Sequence, residues 1–305
     1  MSTPAVSVIV AAYHSAEFLP RCLEALGRQS FRDFETIVVN SSPEDRTAAV
    51  VARYPGVHFH QSPERLLPHA ARNVGVSMAA GECFVFTDAD CQANPDWLAE
   101  LVAAHAAGHH IIGGCIDSRA RGFFSRGIYL LKYSPYLRGK PAGSLGITAT
   151  GNMLVSRNLI AEIGAFDGSI FAGDALFSWK ARQAGFIPWY VPTAIVTDLD
   201  EKYRQGFLLE RFQRGAEFGR VRARFEGWSR LQLLVRAILA PVAVLAALAN
   251  SANECRRGGR LIDFIATLPF QIAAQAAWCA GEAMGYWANP TGRNAERSAS
   301  GSTPD

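Results

Sequence analysis

From Val6 to about Ile116, short β-branched runs alternate with stretches of helical character, the pattern of βαβ units around a mostly parallel sheet. The fold class is therefore α/β. Strands are expected at residues 6–11, 36–40, 57–60, 83–88 and 111–114, lengths common for buried strands. Residues 20–29 set Cys22, Leu23 and Leu26 on one side of a helix, with Pro20 in the first turn, where its missing N–H does no harm. Ser42-Pro43-Glu44-Asp45 is a second helix start. Residues 122–146 are rich in Gly, Arg and Tyr without periodicity and read as a loop or mobile lid beside the site. A strand at 147–155, a short helix at 159–164 and a helix at 174–184 capped by Gly185 complete the same domain.

After Thr197 the pattern changes. Residues 201–236 hold nine Lys/Arg against four Glu, and residues 238–250 and 264–286 are mainly apolar or small. Arg236 and Pro241 interrupt the stretch 231–248, and Gln271, Gln275 and Glu282 the stretch 264–286, so neither is a clean run of about 20 apolar residues. In a two-span hairpin the basic loop Glu254-Cys-Arg-Arg-Gly-Gly-Arg260 would lie opposite the basic flank, against the positive-inside tendency. The pattern favours interfacial or re-entrant helices on the cytoplasmic face of the cell membrane, with anionic lipid as partner. A helical subdomain packed on the sheet is the alternative. The expected division is a catalytic domain at 1–225, membrane-associated helices at 226–290 and a disordered polar tail at 291–305.

Composition narrows the function classes. At 305 residues and 49% hydrophobic, the chain can bury a full core and carry an appendage. A net charge of +3, with no aromatic-interleaved basic stripe, does not suit a nucleic-acid partner. The six cysteines form no CxxC pair and no zinc-type spacing, which points to reduced thiols in a cytosolic setting. The N-terminal residues lack the basic region and long apolar stretch of a signal peptide, so the catalytic domain is expected in the cytoplasm.

The richest string for chemistry is Phe84-Val-Phe-Thr-Asp88-Ala89-Asp90-Cys91. In extended backbone, residues i and i+2 share a face, so Asp88 and Asp90 project together beyond the carboxyl end of a parallel strand, where open α/β sheets bind ligands. Such a pair suits Mg²⁺ or Mn²⁺ completed by substrate phosphates. The competing reading is a cap for the helix that Asn94-Pro95-Asp96 begins. A nicotinamide oxidoreductase is disfavoured because Ala11-Ala12-Tyr13-His14-Ser15 contains no glycine for a phosphate turn. A nucleotidyltransferase would bring a Gly-rich or basic loop to the first strand, and none is evident.

Val6-Ser-Val-Ile-Val-Ala-Ala-Tyr13, Glu35-Thr-Ile-Val-Val-Asn-Ser-Ser42, Ala71-Arg-Asn-Val-Gly75 and Thr87-Asp-Ala-Asp90, in this order and spacing, resemble family 2 glycosyltransferases over about residues 5–225. The resemblance implies a GT-A fold, Rossmann-like with a mixed sheet and flanking helices, a nucleotide-sugar donor, a hydroxyl acceptor, a divalent metal and inversion at the anomeric carbon. It puts Ala11, Ala12 and Tyr13 along the nucleobase, with Asn40 and Ser41 at base and ribose. Asn40 stands where the family usually has Asp, which puts nucleotide identity in doubt. Ser41 and Ser42 are candidates for ribose or phosphate, or for a helix cap. Arg72 and Asn73 lie on a helix that approaches the donor, Arg72 as a phosphate ligand, as a brace for the metal-binding strand or as a surface salt bridge. His69 reads as packed or solvated. Asp88, Ala89 and Asp90 meet metal and diphosphate.

The resemblance also aligns Asp174 with the catalytic base, although Gly173 and Leu176 stand where further acidic residues are usual. A helix N-terminus would stabilise its ionised form, and a plain N-cap is the alternative reading. Asn152 is placed near the acceptor, with a purely local backbone role as the alternative. Arg211 and Arg214 match basic residues that approach the diphosphate, and a lipid-facing role is the alternative. A family histidine is missing after the last strand, with Asp198 in its region as a candidate hard ligand. These departures motivate the rival reading of a membrane-bound scaffold without turnover.

Overall fold

The computed structural model describes residues 3–43, 46–199 and 205–287. The first part alternates as the sequence predicts: β1 Val6–Ala12, α1 Leu19–Gly27, β2 Phe34–Asn40, α2 Arg46–Val51, β3 Val57–Gln61, α3 Pro68–Met78, β4 Cys83–Asp88, β5 Cys91–Ala93, α4 Trp97–Ala106 and β6 Ile111–Ser118. Then follow α5 Phe123–Tyr133, β7 Gly143–Ser144, β8 Asn152–Ser156, α6 Arg157–Ile163, α7 Gly173–Gln183 and β9 Trp189–Asp198. The chain closes with α8 Phe207–Glu226, α9 Arg230–Ile238, α10 Ala240–Arg257, α11 Leu261–Ala266 and α12 Leu268–Trp287. Glu44 and Asp45 of the expected helix start, Lys202 and Arg204 of the basic stretch, and the expected tail at 291–305 lie outside the described residues.

The sheet runs β3-β2-β1-β4-β8-β6-β9-β5, with β7 also paired to β9. β3, β2, β1 and β4 are parallel, whereas β8 is antiparallel to both β4 and β6. Period-two alternation sends Val8 and Val10 to one face, against Cys22, Leu23 and Leu26 of α1 and Trp97, Leu98 and Leu101 of α4. Ile9, Phe84 and Phe86 go to the other face, against Leu159 of α6 and Phe177 and Ala181 of α7. Register lines up the carboxyl ends of three strands, Ala11 beside Asp88 and Ala12 beside Asn40.

Two expectations are corrected. Residues 122–146 are not a loop: α5 and a 3₁₀ turn at Ser134–Tyr136 fill much of the stretch. The stretch as a whole shows no single period because α5 is followed by the 3₁₀ turn and irregular chain; within α5, Ile128 and Leu131 pack against Phe207 and Phe270, Tyr129 and Leu130 against Cys255 and Phe264. The strand expected at 147–155 begins only at Asn152. Helix α12 packs along α8. Gly215 and Gly219 of α8 lie against the Trp278 and Glu282 backbone of α12, and Gly281 of α12 comes so close to α8 that a Cβ there would lie 2.0 Å from the Phe212 carbonyl oxygen.

Candidate active site

β4 ends at Asp88 and β5 begins at Cys91, so Asp88 closes the strand and Asp90 lies in the two-residue turn that follows at the sheet's carboxyl edge. Asp88, Asp90 and Cys91 each offer a ligand atom, all within 4.8 Å of one another. Helix α4 starts only at Trp97 and has no side-chain cap, which removes the capping reading of both aspartates. Burial, reinforced by Asp90 and Asp88, holds the Cys91 thiol well above its usual pKa, so it stays protonated. Two of the three groups are hard carboxylates, a donor pair that fits Mg²⁺ or Mn²⁺. Asp198 lies across the ladder from Cys91, and Leu199 N–H donates to the Asp90 carbonyl at 2.8 Å.

Arg72 is buried and donates from Nη2 to Asp88 Oδ1 at 2.5 Å. Its Nη1 lies 3.5 Å from His69 Nδ1, and His69 Nε2 lies 3.1 Å from the Phe171 carbonyl oxygen. Burial, and then the neighbouring Arg72 charge, push His69 down to about 3, so the ring is neutral, with Nε2–H donating to Phe171 and Nδ1 accepting from Arg72. A chain of polar contacts thus runs from the metal-site carboxylate to the segment that introduces α7. Arg72 is a brace, not a surface ion pair. Gly173 is explained by the same packing, since a Cβ there would come within 2.6 Å of His69 Cδ2.

Asp174 sits in the first turn of α7, and its Oδ1 accepts from Ala175 N–H at 2.8 Å. Burial raises its pKa to about 6, against the opposing pull of that hydrogen bond and of Arg72. The expectation that the helix N-terminus dominates is therefore reversed: desolvation wins. Glu217 on α8 holds the same segment from outside, its Oε1 accepting from Phe171 N–H at 2.5 Å and Ala172 N–H at 3.0 Å. Sequence reasoning missed Glu217, and also Tyr133. Burial, and then Asp198, Cys91, Asp88 and Asp90, hold the Tyr133 phenol well above its usual pKa, which sets this residue of α5 beside the carboxylates.

A cleft of about 1020 Å³ opens between the sheet and the C-terminal helices, with Asp174, Tyr133, Arg211 and Trp278 in its wall. Arg211 lies over the Trp278 ring at 4.2 Å, and its Nε is buried with no hydrogen-bond partner. Arg214 lies over the Phe171 ring at 3.3 Å and pairs with Glu210 at 3.4 Å.

The sequence model of glycosyl transferase family 2 matches residues 7–164, more than half of the chain and the part that carries Arg72, Asp88 and Asp90. The chain belongs to this family. Among curated family relatives, glycosyltransferase AglE of Haloferax volcanii is 25% identical over 194 residues, 60% of this chain and 63% of that protein. The succinoglycan biosynthesis protein ExoO of Rhizobium meliloti is 34% identical over 117 residues, 37% of this chain and 34% of that protein. The matches therefore span less than two thirds of either relative. The structure of the mannosyltransferase PcManGT from Pyrobaculum calidifontis, in complex with GDP-Man and Mn²⁺, aligns with a TM-score of 0.64 at 21% identity, covering 94% of this chain and 88% of that one. That likeness is one of fold, and the mixed sheet with flanking helices is the GT-A arrangement.

Within this member of the family, several residues expected at the ligand are turned inward. Asn152 donates to the carbonyl oxygens of Cys115 and Ala194 and accepts from Trp97 Nε1, so its local backbone role is the one observed. Asn73 exchanges two hydrogen bonds with the Phe166 backbone, at 2.8 and 3.2 Å, and ties α3 to the approach to α7 instead of facing a donor. Asn40 is fully buried, donating to Gln61 Oε1 and accepting from Ser42 N–H. Ser41 is buried too, and the Ser42 hydroxyl accepts from His14 N–H at 2.6 Å. Ala11 and Ala12 end β1 as expected, Tyr13 is exposed with Arg65 over its ring at 4.7 Å, and Ala89 is buried between the two aspartates.

Proposed function

We infer that this chain is a glycosyltransferase that moves a sugar from a nucleoside-diphosphate sugar to an acceptor hydroxyl, with inversion at the anomeric carbon. One observation carries the reading: a chain of polar contacts runs from Asp88, beside Asp90, through Arg72 and His69 to the Phe171 carbonyl, in the segment that leads into Asp174. Its Asp174, with a pKa near 6, is ionised at neutral pH yet basic enough to take a proton.

Asp174 receives the proton of the acceptor O–H as that oxygen forms the new bond to the anomeric carbon. The bond from that carbon to the diphosphate oxygen breaks on the opposite face, and its electron pair leaves with the nucleoside diphosphate. Asp88 and Asp90 would hold the metal, Mn²⁺ or Mg²⁺, whose positive charge stabilises the departing diphosphate. Arg72 keeps Asp88 in place, and Glu217 with His69 fixes the backbone from which Asp174 projects. Tyr13, the exposed ring at the end of β1, is the surface offered to the nucleobase. Arg214 is retained as a candidate diphosphate contact.

The catalytic site is further read as working at a membrane surface on the cytoplasmic side. No single helix among the described residues is long and apolar enough to cross a membrane, and α9 and α10, which together reach that length, bend by 67°. Their outer faces expose Leu231, Ile238 and Leu245 at 67–70%, beside Arg230 and Arg236, and α11 exposes Ile262 at 84%. Apolar residues beside arginines suit interfacial seating on anionic lipid.

Asp174→Asn tests the transferase reading. The variant is expected to bind donor as the parent does and to lose transfer by about 10²–10⁴-fold. Transfer at the parental rate would remove Asp174 as the base. Retention of all three aspartates in one coupled site favours turnover over a catalytically degenerate scaffold.

A further inference from the structure

The charges around the cleft do not balance. Among the described residues of its wall, Lys132, Lys140, Arg211 and Arg257 face the carboxylates Asp174 and Glu254 alone. Glu254 is already engaged by Lys140 and by Arg257. Glu210, the carboxylate next to Arg211 in sequence, is paired with Arg214. Among the described residues, no carboxylate forms an ion pair with Arg211, and its Nε is buried without a partner. A guanidinium presents a planar set of donors suited to a phosphate, and an aromatic platform such as Trp278 holds it flat without neutralising it. Burial alone lowers its pKa, to about 10, which leaves it charged at neutral pH.

The location separates two sources of phosphate. The cleft wall includes Asp174 but neither Asp88 nor Asp90, so an anion in it approaches the base from the side away from the metal-site carboxylates. Helix α10 contributes Ala247 and Ser251 to the cleft and exposes Val242 and Leu245 on its outer face. A phosphate in the cleft can therefore continue into an apolar tail lying along α10.

We propose that the cleft takes a phosphate-linked lipid as acceptor and that Arg211 binds its phosphate, setting the acceptor hydroxyl at Asp174. The proposal rests on the transferase reading for the role of Asp174, but not for the binding of the lipid phosphate. It departs from the family resemblance, which directs Arg211 to the donor diphosphate.

The test uses the full chain and two ligands measured separately by calorimetry: dodecyl phosphate, with dodecyl glucoside as its uncharged control, and UDP or GDP with Mn²⁺. Dodecyl phosphate is expected to bind and the glucoside not to. Arg211→Gln should weaken dodecyl phosphate at least tenfold and leave the nucleotide within twofold, with Arg211→Lys intermediate. Asp88→Ala/Asp90→Ala should do the reverse. Loss of nucleotide affinity in both Arg211 variants would give the arginine to the donor and overturn the proposal, as would dodecyl phosphate binding that Arg211→Gln does not change. Absence of nucleotide binding by the parent, with lipid phosphate still bound through Arg211, would instead count against the transferase reading and leave the anion site standing.

Discussion

Arg72 and Arg211 are two guanidinium groups on either side of Asp174, and the fold treats them in opposite ways. On the sheet side Arg72 is locked to Asp88 at 2.5 Å and leans on a neutral histidine. On the helical side Arg211 has an aromatic ring and, among the described residues, no carboxylate paired with it. A cation withdrawn from water is stabilised by a partner, so a paired one belongs to the architecture and an unpaired one is set for an anion that arrives later. The sheet side is preorganised before any ligand binds, and the helical side is completed by one.

The comparison can be broken at its stiff end first. Arg72→Lys keeps the charge but loses the fork that reaches Asp88 and His69, and should weaken Mn²⁺-dependent nucleotide binding by about 10–100-fold, as removal of an orienting partner of a metal ligand does. Unchanged metal dependence would make the Arg72–Asp88 contact incidental.

On the helical side the sensitive feature is packing. Gly281→Ala forces a Cβ against the Phe212 carbonyl at the α8–α12 seam and should cost about 1–3 kcal/mol, read as a lowered unfolding midpoint. An unshifted midpoint would mean that the two helices are not held together by that approach.

The base between them carries a pH signature. Because burial raises the Asp174 pKa to about 6, transfer should climb as pH rises through 6 and level off above it. The same shift makes the ionised carboxylate unfavourable in the fold: its stabilising contribution is full below the ordinary carboxylate range and is lost as pH rises through 6. Asp174→Asn should therefore raise the stability at pH 7, on the order of 2 kcal/mol, while abolishing transfer. A flat rate profile between pH 5 and pH 7 would remove the raised pKa from the account.

The two regions also differ in how far they could be read in advance. The metal-site strand was legible because a buried parallel strand ending in two carboxylates leaves few alternatives, and β4 runs from Cys83 to Asp88 as expected. The α5 region was not, because its eleven-residue helix sits in a Gly-rich stretch whose remainder is a 3₁₀ turn and irregular chain, so no one period runs through it. In α12 the same small and apolar residues that suit lipid also suit close packing on α8, and composition does not separate the two. Asn73, Asn152 and Glu217 belong to a third kind: an amide or carboxylate serves a ligand or a backbone equally well, and only the fold decides which is within reach. Seen afterwards, Gly173 was the one available signal for His69, a missing side chain where a ring needs room.

The most direct measurement is binding and slow hydrolysis of UDP-, GDP- and dTDP-sugars by the purified chain, with and without Mn²⁺ or Mg²⁺, alongside Asp88→Ala/Asp90→Ala. The account predicts one donor that binds and hydrolyses only with metal and is lost in the double variant. Failure of every donor with either metal, in protein that is folded, would contradict it.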